Sequence, residues 1–307
     1  MERIRLKFSK HGPVRFVGHL DVMRYFQRVF RRAGVDIAYS EGFSPHPLMS
    51  FAQPLSVGAT SDGEYMDFTL RSFADLRPDD ATPKSAPVPD AADALVERIR
   101  AVCREGIAIL DGTVLPETAE KAMTAVRACA WRVSFREGFL PPGMPEGMLR
   151  EAFDAFVNRP EIPAVRKTKK GSKETDIAPL IYRADMTADM RACELLLHSG
   201  SDNNCKPALF MGALLRHASI PCETLTEESD ELHPAALVLH RRETYTAGSD
   251  ARGGFLVFGA AILSRGRVTH VKHPGSGRRR RMRGGRSPDA FSPSGRYTVR
   301  HRPKEPT

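Results

Sequence analysis

Apolar residues recur at helical spacing at Val22, Met23, Phe26, Val29, Phe30 and Ala33, which predicts a helix over residues 19–33 stopped by Gly34. Before it, Arg3–Phe8 alternates cationic and apolar residues and reads as a half-buried strand. After it, Val35–Tyr39, Leu48–Leu55 and Tyr65–Leu70 read as strands, the last two separated by a polar turn at Ala59–Gly63. Residues 72–91 are rich in Pro, Asp and Ala and read as a surface loop. Ala92–Arg104 is an amphipathic helix through Leu95, Val96, Ile99 and Val102, followed by strand segments at Gly106–Leu110 and Thr113–Leu115. The second half repeats the order. Ala128–Phe135, Ile162–Thr168, Arg191–His198 and Ala236–Arg242 are expected strands; Met148–Val157 and Pro207–His217 are expected helices.

Strand-helix-strand-strand-helix-strand is the ferredoxin-like order, with antiparallel strands and helices on one face. The expected class is therefore α+β: two tandem ferredoxin-like (β-α-β-β-α-β) modules over 1–120 and 121–247. A low-complexity basic tail over 248–307 is expected to be disordered. No apolar run has the length of a membrane span, and MERIRLKF has no signal-peptide core, so a cytoplasmic protein without a membrane partner is expected.

Charge changes the picture only once it is located. The net charge is +9, but from Ser264 onward thirteen Lys and Arg face two acids, which leaves the first 263 residues at −2. Within that body the cations are segregated. Nine fall in residues 1–32 and five in Arg166–Lys173, which contains no acid. Segregated cations on a near-neutral body suggest a polyanion site.

His19-Leu20-Asp21, Arg31-Arg32-Ala33, Ser40-Glu41-Gly42-Phe43, Pro45-His46-Pro47, Pro54-Leu55 and Gly58 resemble the radical SAM-associated protein family. Further blocks at 167–176, 200–207 and 240–245 follow in the family's order, so the resemblance spans roughly residues 1–247. The family is a domain of unknown function fused to, or encoded beside, cobalamin-binding radical SAM enzymes, and the resemblance implies such an enzyme as partner. It departs at Gly18, where the family has a serine able to cap the helix. The five cysteines form no closely spaced set, so an iron–sulfur cluster is not expected in this chain.

Two sets of residues carry candidate chemistry. Arg5, Lys7, Arg24, Arg28, Arg31 and Arg32, with Arg166, Lys167, Lys169, Lys170 and Lys173, are expected to line one RNA-binding trough. Phe43, Tyr39 and Tyr25 would stack on bases, with His46 beside them. His19, Asp21 and His46 would meet only if the Pro45–Pro47 loop folds back on the helix start. They could then do acid–base work as a metal-independent endoribonuclease; two tandem modules also resemble the architecture of CRISPR repeat-processing endoribonucleases, a likeness of fold that does not by itself assign function. The leading expectation is a non-catalytic RNA-binding accessory protein presenting tRNA or rRNA to the radical SAM enzyme. A protein–protein adaptor is the remaining alternative. No cofactor or metal is expected.

Overall fold

The structure, a computed structural model, describes residues 1–71, 88–141, 147–168, 171–200, 203–222, 225–226, 228–247 and 255–258. It is a mixed α/β fold built on one nine-stranded sheet. The first half runs β1 (Glu2–Lys10), α1 (His19–Arg32), β2 (Met49–Phe51), β3 (Thr60–Leu70), α2 (Val88–Ala101) and β4 (Ile107–Leu115). The second runs α3 (Ala122–Ala125), β5 (Val126–Phe135), α4 (Met148–Val157), β6 (Pro163–Thr168), β7 (Gly171–Asp176), β8 (Ile181–Met186), β9 (Cys193–His198), α5 (Pro207–His217), β10 (Leu237–Ala247) and β11 (Phe255–Val257). The strand order is β4-β1-β3-β10-β5-β9-β8, with β2 on β3 and β11 on β10; β6 and β7 pair apart as a two-stranded sheet.

All neighbours within each half are antiparallel. The halves join where β3 and β10 run parallel for two residues, Thr60 beside His240 and Ser61 beside Arg241. Two separate sheets were the expectation; the chain instead continues one sheet across both halves.

Each half builds a core, and Ala52, Leu55, Ala59 and Tyr65 of the first join the core of the second. Ile4, Leu6 and Phe8 of β1 and Met66 and Phe68 of β3 pack on Phe26 and Phe30 of α1 and Leu95 and Ile99 of α2. Trp131 and Val133 of β5 and Leu195 and Leu197 of β9 pack on Phe153 and Phe156 of α4 and Phe210 and Leu214 of α5. Arg241 bonds Glu64, which lies opposite Phe8, and stacks 4.8 Å over Trp131. The four longer helices therefore cover the same side of the sheet. A small cluster of Ala128, Ala130, Leu196 and Tyr245 occupies the other side.

Several elements differ from the sequence reading. Ala59–Gly63 is no turn: β3 begins at Thr60 and runs through it. A Cβ on Gly63 would sit 2.6 Å from Glu243 Cα, so this glycine serves the close approach of β10. Val35–Tyr39 forms no strand, only single bridges from Ile37 to Leu70 and Tyr39 to Pro47. Strands β7 and β8 were not anticipated. The tail boundary moves too: β11 pairs with β10, and Phe258 is fully buried against Tyr65 and Arg5. The loop assigned to 72–91 is helical from Val88, its remainder lies outside the described residues, and so does everything after Phe258. No helix among the described residues is long and apolar enough to cross a membrane.

Candidate nucleic-acid interface

The period-two alternation of β1 sends Arg5 and Lys7 to the side away from the helices. They are not solvent-facing as expected. Arg5 is buried and makes a two-pronged bond to Asp67, Nε to Oδ1 at 2.7 Å and Nη2 to Oδ2 at 2.9 Å, while donating to the Glu120 carbonyl. Its guanidinium also lies 4.3 Å from the Phe258 ring centroid. Lys7 Nζ reaches the buried Glu243 Oε2 at 2.5 Å. Both cations are spent on fixing strand register, and neither is available to a polyanion.

The face of α1 meets the expectation more closely. Val22, Phe26, Val29 and Phe30 are buried, and Arg24, Arg28, Arg31 and Arg32 are exposed. Arg24 pairs with Asp21 at 2.9 Å, and Arg32 donates to the Val102 carbonyl at 3.0 Å. Arg28 and Arg31 have no ion-pair partner among the described residues. Tyr25 is tied down instead of free to stack: its hydroxyl accepts from the Arg104 N–H at 2.8 Å, and burial pushes its pKa up to about 12.

Beyond α1 the chain makes a projecting hairpin. Leu48 N–H donates to the Ala38 carbonyl, Ser40 N–H to the His46 carbonyl, and Tyr39 bridges Pro47. Among the described residues, His46 has no hydrogen bond to the start of α1. Its Nδ1 lies 2.8 Å from Ser40 Oγ, which also accepts from the His46 N–H. The hairpin thus holds the fully exposed Phe43 at its tip. A groove of about 390 Å³ runs between the hairpin and α1, and Arg31 and Tyr39 both line it.

His19 opens α1 but sits apart from His46. Its ring packs edge-on to Phe51 at 4.9 Å and borders a cavity of about 20 Å³ shared with Lys10 and Glu64. Burial draws its pKa below 6.5, with Glu64 opposing and Lys10 adding to the shift. Asp21 is engaged by Arg24. The three side chains thus have separate partners, and no described contact joins them.

The second cationic stretch belongs to a different core. It lies on the β6–β7 hairpin, anchored through Ile162 and Ala164 among α4 and α5. Lys167 pairs with Glu228 at 2.8 Å, and Arg166 donates to Asn203 Oδ1 and the Asn204 carbonyl. Lys173 is exposed opposite Arg166, and Lys169 and Lys170 lie outside the described residues. An acid interleaves with these cations, and no described contact joins them to α1 in one trough.

One constellation has no sequence signal. His11 Nε2 and His240 Nε2 flank the Asp62 carboxylate at 2.7 and 3.0 Å, and Thr60 Oγ1 lies 2.9 Å from His240 Nδ1. Asp62 only accepts, so each Nε2 carries its proton. The cluster spans the β3–β10 junction and clamps the two halves; among the described residues no group can hold a metal ion. Burial pulls His240 below 6.5, Asp62 opposes, and His11 and Arg242 add to the depression.

His19 and His240 thus bind protons less readily folded than unfolded. Their contribution to stability is present above pH 6.5 and is lost as pH falls through the folded values. Glu243, held above its ordinary value by burial against the opposing pull of Lys7, acts in the opposite sense. The urea midpoint is expected to fall from pH 7.5 to 5.5, and less steeply in His240→Gln. Parallel profiles for the two proteins would refute this role of His240.

No curated protein matches the chain. A family model described as "Uncharacterized protein conserved in bacteria" matches residues 3–207, which include α1, the hairpin and α4. By that match the chain belongs to the DUF2344 family of uncharacterized conserved bacterial proteins.

Proposed function

We propose that this protein is a non-catalytic RNA-binding accessory protein that presents an RNA, tRNA or rRNA, to a radical SAM enzyme. The observation that carries the RNA half is the groove joining Arg31 of α1 to Tyr39 of the hairpin, with Arg28 and Phe43 exposed beside it. Guanidinium forks take phosphate oxygens, and exposed aromatic rings stack on unpaired bases. The partner half rests on the sequence resemblance alone. The two halves of the chain are read as ferredoxin-like modules fused edge to edge. Supporting this, the orders β4-β1-β3-β2 and β10-β5-β9-β8 place the same successive elements alike, with β6–β7 inserted in the second.

Fluorescence anisotropy with a labelled single-stranded RNA tests the reading. Three to four phosphate contacts give a slope of log affinity against log salt of about −2 to −3. Arg28→Ala with Arg31→Ala should weaken binding about tenfold and flatten that slope by roughly one unit or more, while Phe43→Ala should weaken binding without changing it. A second reading, the adaptor, is favoured by exposed Phe16, Leu20 and Val57; a bond from Gly58 N–H to the Arg15 carbonyl brings residues 57–58 beside 15–16. RNA affinity indifferent to both arginines would remove the first reading. Capture of the enzyme lost on Phe16→Asp would then support the second.

A further inference from the structure

The groove beside α1 carries information about what enters it. It is bounded by the last turns of α1, residues 35–37 and the hairpin, and its polar lining is Gln27, Arg31, Asp36 and Tyr39, with Pro47 opposite. About 390 Å³ lies in the range of small-ligand pockets and suits one nucleotide. Tyr39 is part-exposed, and its backbone is pinned by the bridge to Pro47, so its ring is presented on a fixed support. Among the described residues the Asp36 carboxylate is ion-paired with Arg71 at 3.9 Å, beyond hydrogen-bond reach, and accepts no side-chain hydrogen bond. Its oxygens keep their hydrogen-bond capacity for a ligand, which would share the carboxylate with Arg71.

A carboxylate can only accept hydrogen bonds. Of the four RNA bases, guanine alone presents two adjacent donors on its Watson–Crick edge, N1–H and the N2 amino group. Adenine and cytosine set their amino group beside an acceptor nitrogen, and uracil flanks its single donor with two carbonyls; each would push an acceptor against Asp36. Tyr39 can stack on any base, and Arg31 can take any phosphate, so neither discriminates.

We propose that the groove is a guanine-nucleotide subsite, with the base on Tyr39, its N1–H and N2–H on the Asp36 carboxylate, and the phosphate on Arg31. This deepens the RNA-binding reading and rests on it for the claim that the nucleotide belongs to an RNA strand. The selectivity itself can be tested without RNA.

The experiment is calorimetric titration of the full-length protein with GMP, AMP, CMP and UMP, alongside anisotropy with two RNAs of equal length, one with and one without guanine. GMP is expected to bind about tenfold or more tightly than the others. Asp36→Asn, nearly isosteric, should abolish that preference, and Tyr39→Ala should weaken all four nucleotides together; thermal melts verify that each variant folds. Equal affinities for the four, a preference that survives Asp36→Asn, or RNA binding without any guanine preference would overturn the subsite. In the last case arginine-dependent RNA binding leaves the broader reading standing. A GMP preference without RNA binding keeps the subsite and removes the RNA.

Discussion

Gly212→Ala should destabilise the protein by about 3 kcal/mol or more, a large share of the stability margin of a typical domain. Gly212 lies within α5, and a Cβ there would come 1.7 Å from the Asp230 carbonyl oxygen. The obstacle is backbone, and it cannot retreat. Asp230 N–H donates to the Val165 carbonyl at 2.8 Å, its Oδ2 accepts from the Val165 N–H at 2.7 Å, and Arg216 Nε bonds its Oδ1. A further bond joins Leu232 N–H to the Ala208 carbonyl. The segment is stitched to β6 and to α5 at once, so relief requires α5 to lift from a core that includes Phe210 and Leu214. Gly18→Ala is the matched comparison, since its Cβ meets nothing within 4 Å. Circular dichroism melts of both should show a large drop for the first and only the smaller drop of a poorer N-cap, under about 1 kcal/mol, for the second. Equal melts would mean that α5 and the 230–232 segment do not pack as described.

Such a role for Gly212 could not be read from the chain. An isolated glycine within a helical pattern looks merely tolerated; the atom that excludes a side chain lies eighteen positions on. What was legible is what local periodicity encodes. The apolar stripe of α1 is buried along Val22, Phe26, Val29 and Phe30, and Gly34 takes the positive φ of a helix stop, +61°. Helices α4 and α5 begin and end where their apolar patterns do. Strand β7, Gly171–Asp176, escaped because its residues are polar throughout: as the outer strand of a hairpin anchored only through β6, it buries no face and leaves no alternation.

The candidate site divides the same way. The α1 arginines lie on the exposed face of a helix, and a helix face can be counted from sequence. Arg5 and Lys7 alternate just as regularly, but alternation names two faces without saying which is covered. Their covering partners, Asp67 and Glu243, are 62 and 236 residues away. The clamp of His11, Asp62 and His240 spans still other separations, 51 and 178 residues, and is assembled only by the pairing of β3 with β10.

The buried charges of that junction lead to the second large effect. Glu243 is shut from solvent and serves three donors: Lys7 Nζ at 2.5 Å, Tyr65 Oη at 2.9 Å and the Thr244 N–H at 2.9 Å. Glu243→Ala removes the common acceptor and strands a part-buried cation, a hydroxyl and a backbone N–H, a loss of about 3–5 kcal/mol. Attraction between buried charges is largely offset by their desolvation, so most of that loss comes from leaving the partners unpaired. Removing the three side-chain polar groups together should therefore recover most of the loss, less the cost of the buried Thr244 N–H, which no substitution removes. The triple variant Lys7→Met, Tyr65→Phe, Glu243→Leu, left with only the Thr244 N–H unpaired, is expected within about 1–3 kcal/mol of the parent in urea titrations and above Glu243→Ala alone. A Glu243→Ala cost under about 1 kcal/mol would show that water reaches the carboxylate. A triple variant as unstable as the single one would show that the ionic pairing itself, and not mere satisfaction of stranded groups, holds β1, β3 and β10 in register.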